Sequence, residues 1–120
     1  MSNAIERRWH GIIADWYQNI GYSNSSLNGC YGRQLHHVVG RKGKHKKVHI
    51  GGFFVLPLPW EFHDPHSNSV FNVTHRRHNF TAHFGLQSEL FKEMIDSMVS
   101  FGYDLPFGQD VIDAIMDTRK

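Results

Sequence analysis

Cysteine is nearly absent from this chain: Cys30 stands alone among 120 residues. A lone thiol excludes an intramolecular disulfide framework and any four-cysteine zinc site, and it agrees with a reducing compartment. Long apolar runs are also missing. No stretch approaches the roughly eighteen residues of a membrane span, and Glu6, Arg7, Arg8 and Asp15 interrupt the first twenty residues where a signal peptide would need its apolar segment. A cytoplasmic location away from any membrane is the expectation. Proline is scarce at four residues, charge of one sign does not dominate at a net +2, and hydrophobic residues make up 40%. That balance excludes collagen-like and disordered classes, and the length suits one domain spanning residues 1–120.

Against these shortages stand ten histidines, all but His10 between His36 and His83. Basic residues are also concentrated: Arg41, Lys42, Lys44, Lys46 and Lys47 fall within one short segment, while acids gather in the last third.

Hydrophobic periodicity outlines an α+β fold. Ile5, Trp9, Ile12, Ile13 and Trp16 form one stripe of an amphipathic helix over residues 4–19, with Ser2 or Asn3 as its cap. Residues 21–32 are rich in Ser, Asn and Gly and read as a loop. Branched and apolar residues at 34–40 and 48–56 predict two strands of a hairpin, joined by the basic turn 41–47. Pro57 and Pro59 then mark a strand exit into a short helix that carries His63, since proline is tolerated in a first helical turn. A further helix is expected within residues 73–84. Leu86, Leu90, Phe91, Met94, Ile95, Met98 and Val99 repeat at helical spacing up to Ser100, with Gly102 as the stop, and Val111, Ile112, Ile115 and Met116 line a last short helix. The C-terminal helices thus occupy about residues 86–118, and both stripes are expected to pack in the core.

Imidazole is both a common ligand for transition ions and the usual general base near neutral pH. His36 and His37 are adjacent on a predicted strand, so their side chains point to opposite faces and cannot share one duty. A division follows in which one ring holds a cation while the other deprotonates a nearby water. His63 and His66, and likewise His75 and His78, are three apart, the spacing of one helix face. If the hairpin folds over the first of these helices, His36 and His63 share an ion, with His66, His75 or His78 as a third ligand and a position left open for substrate. His10 is expected on the surface away from this cluster, His45 belongs to the basic turn, and His83 falls where it could cap helix carbonyls. The basic turn and the pair Arg76-Arg77 suit phosphate contacts, which would make binding salt-dependent and largely indifferent to sequence.

The order Leu35-His36-His37-Val38-Val39-Gly40-Arg41, Lys47-Val48-His49, Val55-Leu56-Pro57-Leu58, His63 and Phe80-x-x-x-Phe84-Gly85 resembles phage-encoded HNH endonucleases. Among them it is most similar to the recombination-enhancement (Ref) family of RecA-dependent nucleases. The resemblance covers residues 28–86, about half the chain. It implies a ββα-metal core over about residues 30–84 in which His36 and His63 bind a metal, His37 is the general base, and His75 or His78 is the third ligand. Such proteins also carry cysteines for a separate structural zinc. With only Cys30 present, that site would need His49 or His66 in place of the missing thiolates. The expected activity is metal-dependent hydrolysis of DNA phosphodiesters, with Zn²⁺ bound, Mg²⁺ or Mn²⁺ as alternatives for catalysis, and a RecA filament as guide. The competing expectation is a non-catalytic module in which zinc is purely structural and the basic turn grips nucleic acid.

Overall fold

A computed structural model describes residues 3–23 and 30–120. Helix α1 (Ala4–Trp16) opens on Asn3, whose side chain accepts from the Glu6 amide at 2.8 Å, while Glu6 Oε2 accepts from the Asn3 amide at 3.2 Å. This reciprocal capping box satisfies two N–H groups that a helix start leaves orphaned. Ser2, the other cap candidate, lies outside the described residues, as do residues 24–29 of the expected loop. The helix runs on into a π-helical turn (Tyr17–Gly21).

Strand β1 (Gln34–His37) pairs antiparallel with β4 (Val55–Leu58), placing His36 opposite Leu56 and His37 opposite Val55. The hairpin expected from residues 34–56 is therefore split. Its near end forms a separate miniature ribbon, β2 (Lys44–His45) with β3 (Val48–His49), and the apolar run continues past a turn at 50–54 before it pairs with β1. At this turn the Ile50 and Gly51 amides donate to the Gly43 carbonyl, and the chain packs too closely for a Cβ: one at Gly51 would meet the Gly40–Gly43 backbone and one at Gly52 the Glu6 carboxylate. Pro57 sits inside β4 without loss, because a two-stranded ribbon leaves one edge unpaired.

Every residue of β4 is buried. Behind it lie α1 and α4 (Gln87–Ser100), with Trp9, Ile13, Trp16, Phe54, Leu56, Phe91, Met94 and Met98 at the centre of the core. Both buried tryptophans satisfy their polar edge: Trp9 Nε1 donates to the Phe53 carbonyl at 2.9 Å and Trp16 Nε1 to Ser97 Oγ at 3.0 Å. Replacing either by alanine would cost about 3–5 kcal/mol. Helix α4 stops at Gly102, whose positive φ of 86° and the Tyr103 amide bond to the Met98 carbonyl close its end as the sequence predicts. Helix α5 (Gln109–Asp117) packs beside α4 with Val111, Ile112 and Ile115 inward.

The short α2 (Trp60–His63) and α3 (Arg77–Phe84) are joined by an aromatic cluster in which Phe62 meets Phe71, Phe80 and Phe84 at ring-centroid distances of 5.9, 6.1 and 5.4 Å. A four-residue helix has little stability of its own, so this packing and the Val73 amide bond to the Phe62 carbonyl hold α2, and with it His63, in place. Helix α3 begins later than expected because buried Asn72 claims the preceding segment: its Oδ1 accepts from the Thr74 and His75 amides. Among the described residues the fold is α+β, with five α-helices and two small antiparallel ribbons, and no described helix is long and apolar enough to cross a membrane.

Candidate functional site

β1 is the spine of the site. Side chains alternate across it, so His36 faces α2 and His37 faces α1. The rings of His36 and His63 meet at 5.1 Å between centroids. His63 Nδ1 donates to Gln34 Oε1 at 2.9 Å, an arrangement that fixes the orientation of the ring. Burial, followed by the neighbouring His63, pushes the His36 pKa down to about 4, and the adjacent Gln87 amide draws it partly back. That amide's Oε1 nevertheless forms no properly directed hydrogen bond with any described residue. His36 is therefore neutral at pH 7 and able to offer a lone pair.

On the opposite face His37 packs edge-on against His10, with centroids 5.4 Å apart. Burial, then His10 and Arg41, lowers the His37 pKa, while Glu6 opposes the fall. His10 is not the remote surface residue expected: its Nε2 is buried without a hydrogen-bond partner among the described residues, and burial lowers its pKa too. Glu6 lies alongside, its Oε1 3.3 Å from His49 Nε2. Burial works to raise the Glu6 pKa, but the Asn3 amide and His49 outweigh it and hold the carboxyl below its usual range. Glu6 and His10 are four apart on α1, so their shared face was readable from spacing; their meeting with β1 was not.

The remaining candidates are dispersed. His66 lies beyond the end of α2 instead of on it, 90% exposed and bonded to Asp64. His75 precedes α3, and its Nε2 donates to the Pro65 carbonyl at 2.8 Å. His78 is exposed near the start of α3 and lines a cavity that Gln87 also borders. His83 stacks on Phe71 at 4.6 Å instead of capping a carbonyl. Cys30 is wholly buried in the core, and burial raises its thiol pKa to about 12, so it presents no thiolate. Among the described residues, no group of three or more His, Cys, Asp or Glu side chains converges in a way that could hold a metal ion. His36 and His63 are two proposed ligands whose rings meet, edge-on, at an interplanar angle of 62°.

The basic turn is the tip of the β2–β3 ribbon. Lys46 and Lys47 both have positive φ, 48° and 71°, as the tightest hairpin turns require. His45 Nε2 and Lys46 Nζ reach Asp117 at 2.7 and 2.9 Å, so this tip is tied to the end of α5 and the basic and acidic segments meet. Lys46, with His45, holds the Asp117 carboxyl down at about 2. Arg41, Lys42 and Lys47 remain exposed around it. Compared with protein-family models, curated proteins and solved structures, the chain finds no match.

Proposed function

We propose that this chain is a metal-dependent DNA endonuclease of the HNH type, with β1, β4 and α2 as its ββα-metal unit. The observation that carries the reading is the contact of His36 with His63 across the ribbon and the helix that follows it, with His37 next in sequence on the other face. A neutral His36 and a His63 ring oriented by Gln34 are the two side chains that would hold a divalent cation.

In this mechanism His36 and His63 would hold the cation, which when bound would supply Lewis-acid stabilisation of negative charge on the phosphate. His37 accepts the proton of the attacking water as its oxygen bonds to phosphorus, and the 3′ oxygen departs in line and is protonated by solvent, leaving a 5′ phosphate and a 3′ hydroxyl. Exposed Arg41, Lys42, Lys44 and Lys47, with Arg76 and Arg77, neutralise flanking phosphates; Lys46 joins them only by giving up Asp117. Guidance by a RecA filament rests on the family resemblance alone. The test is cleavage of supercoiled and circular single-stranded DNA with Mg²⁺ or Mn²⁺, with and without RecA filaments. Nicking by the wild type and its loss in His37→Ala supports the reading; intact DNA under every condition overturns it.

A further inference from the structure

Beside the histidine pair, the start of α3, the start of α4 and the segment after α5 enclose a cavity of about 310 Å³. Arg77, His78, Arg119 and Lys120 line it, together with Thr81 and Gln87, and no carboxylate side chain does. Arg77, Arg119 and Lys120 have no ion-pair partner among the described residues. Three positively charged side chains bordering one hollow make its potential favourable to an anion.

Three further features point into the same space. α3 starts there without a side-chain cap, so its first N–H groups are left for an external acceptor. Gln87 is only 4% exposed and also lines the cavity, and its amide, which lies beside His36, has an Oε1 with no well-directed hydrogen bond among the described residues. Arg119 adopts a left-handed φ of 55°, costly for a residue with a Cβ. That conformation turns the chain back so that the Lys120 carbonyl accepts from the Gln87 amide at 2.9 Å. The reversal is what brings Arg119 and Lys120 to the cavity.

We propose that this cavity seats a phosphate group, bound by Arg77, Arg119 and Lys120 with His78, Thr81 and Gln87 as supplementary hydrogen-bonding groups. The seat assigns His78 to an anion and not to a metal. It shares Arg77 with the phosphate contacts of the nuclease reading but needs neither a cation nor His37.

The test is an amide chemical-shift titration of the full chain with inorganic phosphate, against chloride at matched ionic strength. Saturable shifts are expected at Arg77, His78, Gln87 and Arg119. Arg77→Gln and Arg119→Gln should each weaken binding roughly tenfold, the loss of a charge-assisted contact, while charge-matched Arg8→Gln on α1 leaves it unchanged. Shifts no larger than with chloride, or equal weakening by Arg8→Gln and Arg119→Gln, overturn the proposal. Competition then identifies the source. Displacement of phosphate only by a 5′-phosphorylated trinucleotide assigns the seat to a strand end, and displacement also by the unphosphorylated trinucleotide assigns it to an internal diester. Displacement by neither assigns it to a small phosphate compound. Phosphate should bind His37→Ala as tightly as wild type, so failure of the seat and failure of the nuclease are read separately.

Discussion

His36 and His37 share a peptide bond, yet the molecule surrounds them differently. On the His36 side, His63, Gln34 and Gln87 form an environment that keeps imidazole neutral and orients one ring by a hydrogen bond. On the His37 side, Glu6 and Arg41 bring charges of both signs, beside His10, to a ring that no side-chain hydrogen bond anchors among the described residues. The difference teaches that a two-residue motif carries two duties only when separate elements, α2 and α1, clothe its two faces.

The strongest way to break this contrast is His37→Ala. Cleavage should fall by about a hundred-fold or more while metal content and DNA affinity hold, since removal of a general base affects the chemical step. Equal loss of bound metal in His37→Ala and His36→Gln would erase the distinction between the faces. Next, chelator-treated protein should lose stability as pH falls from about 6.5 toward 4. His36 takes up a proton near pH 6.5 when unfolded but only near 4 when folded, so the unfolded state binds more protons in that window. The stability gained above the unfolded pKa reaches at most about 3 kcal/mol from this group, and His36→Gln should flatten that part of the profile in denaturant titrations.

Gln34→Leu sharpens the comparison on one face alone. Without the acceptor for His63 Nδ1, metal affinity should drop about ten- to a hundred-fold by calorimetry, with the fold unchanged by circular dichroism. The smallest effect belongs to the basic turn. Each of Lys42→Gln and Lys47→Gln should reduce the slope of log affinity against log salt by about one for DNA of any sequence, whereas Lys46→Gln should change it less because Asp117 already engages that side chain.

Much of this architecture was legible in the chain. The stripe from Ile5 to Trp16, the Leu86–Val99 repeat and the stop at Gly102 became α1, α4 and its end because helical periodicity and a left-handed glycine are local properties. The strand expected at 48–56 was misjudged for a non-local reason. Its apolar character reflects burial against α1 and α4, and the pairing begins only at Val55, after Gly51 and Gly52 have turned beneath Glu6. The third-ligand candidates fared similarly: His66 and His75 have helical spacing to their partners, but Asp64 ends α2 and Asn72 delays α3, so neither pair shares a helix.

By itself, the sequence determined the α+β class, the main helices and the opposite directions of His36 and His37, because strand alternation and helix periodicity follow from backbone geometry. Tertiary structure alone decided which partners those rings meet. Contacts between His36 and His63, between His37 and His10, and among Arg77, Arg119 and Lys120 join residues far apart in the chain, and only the packing of α1, α2, α3 and α5 around the ribbon brings them within reach.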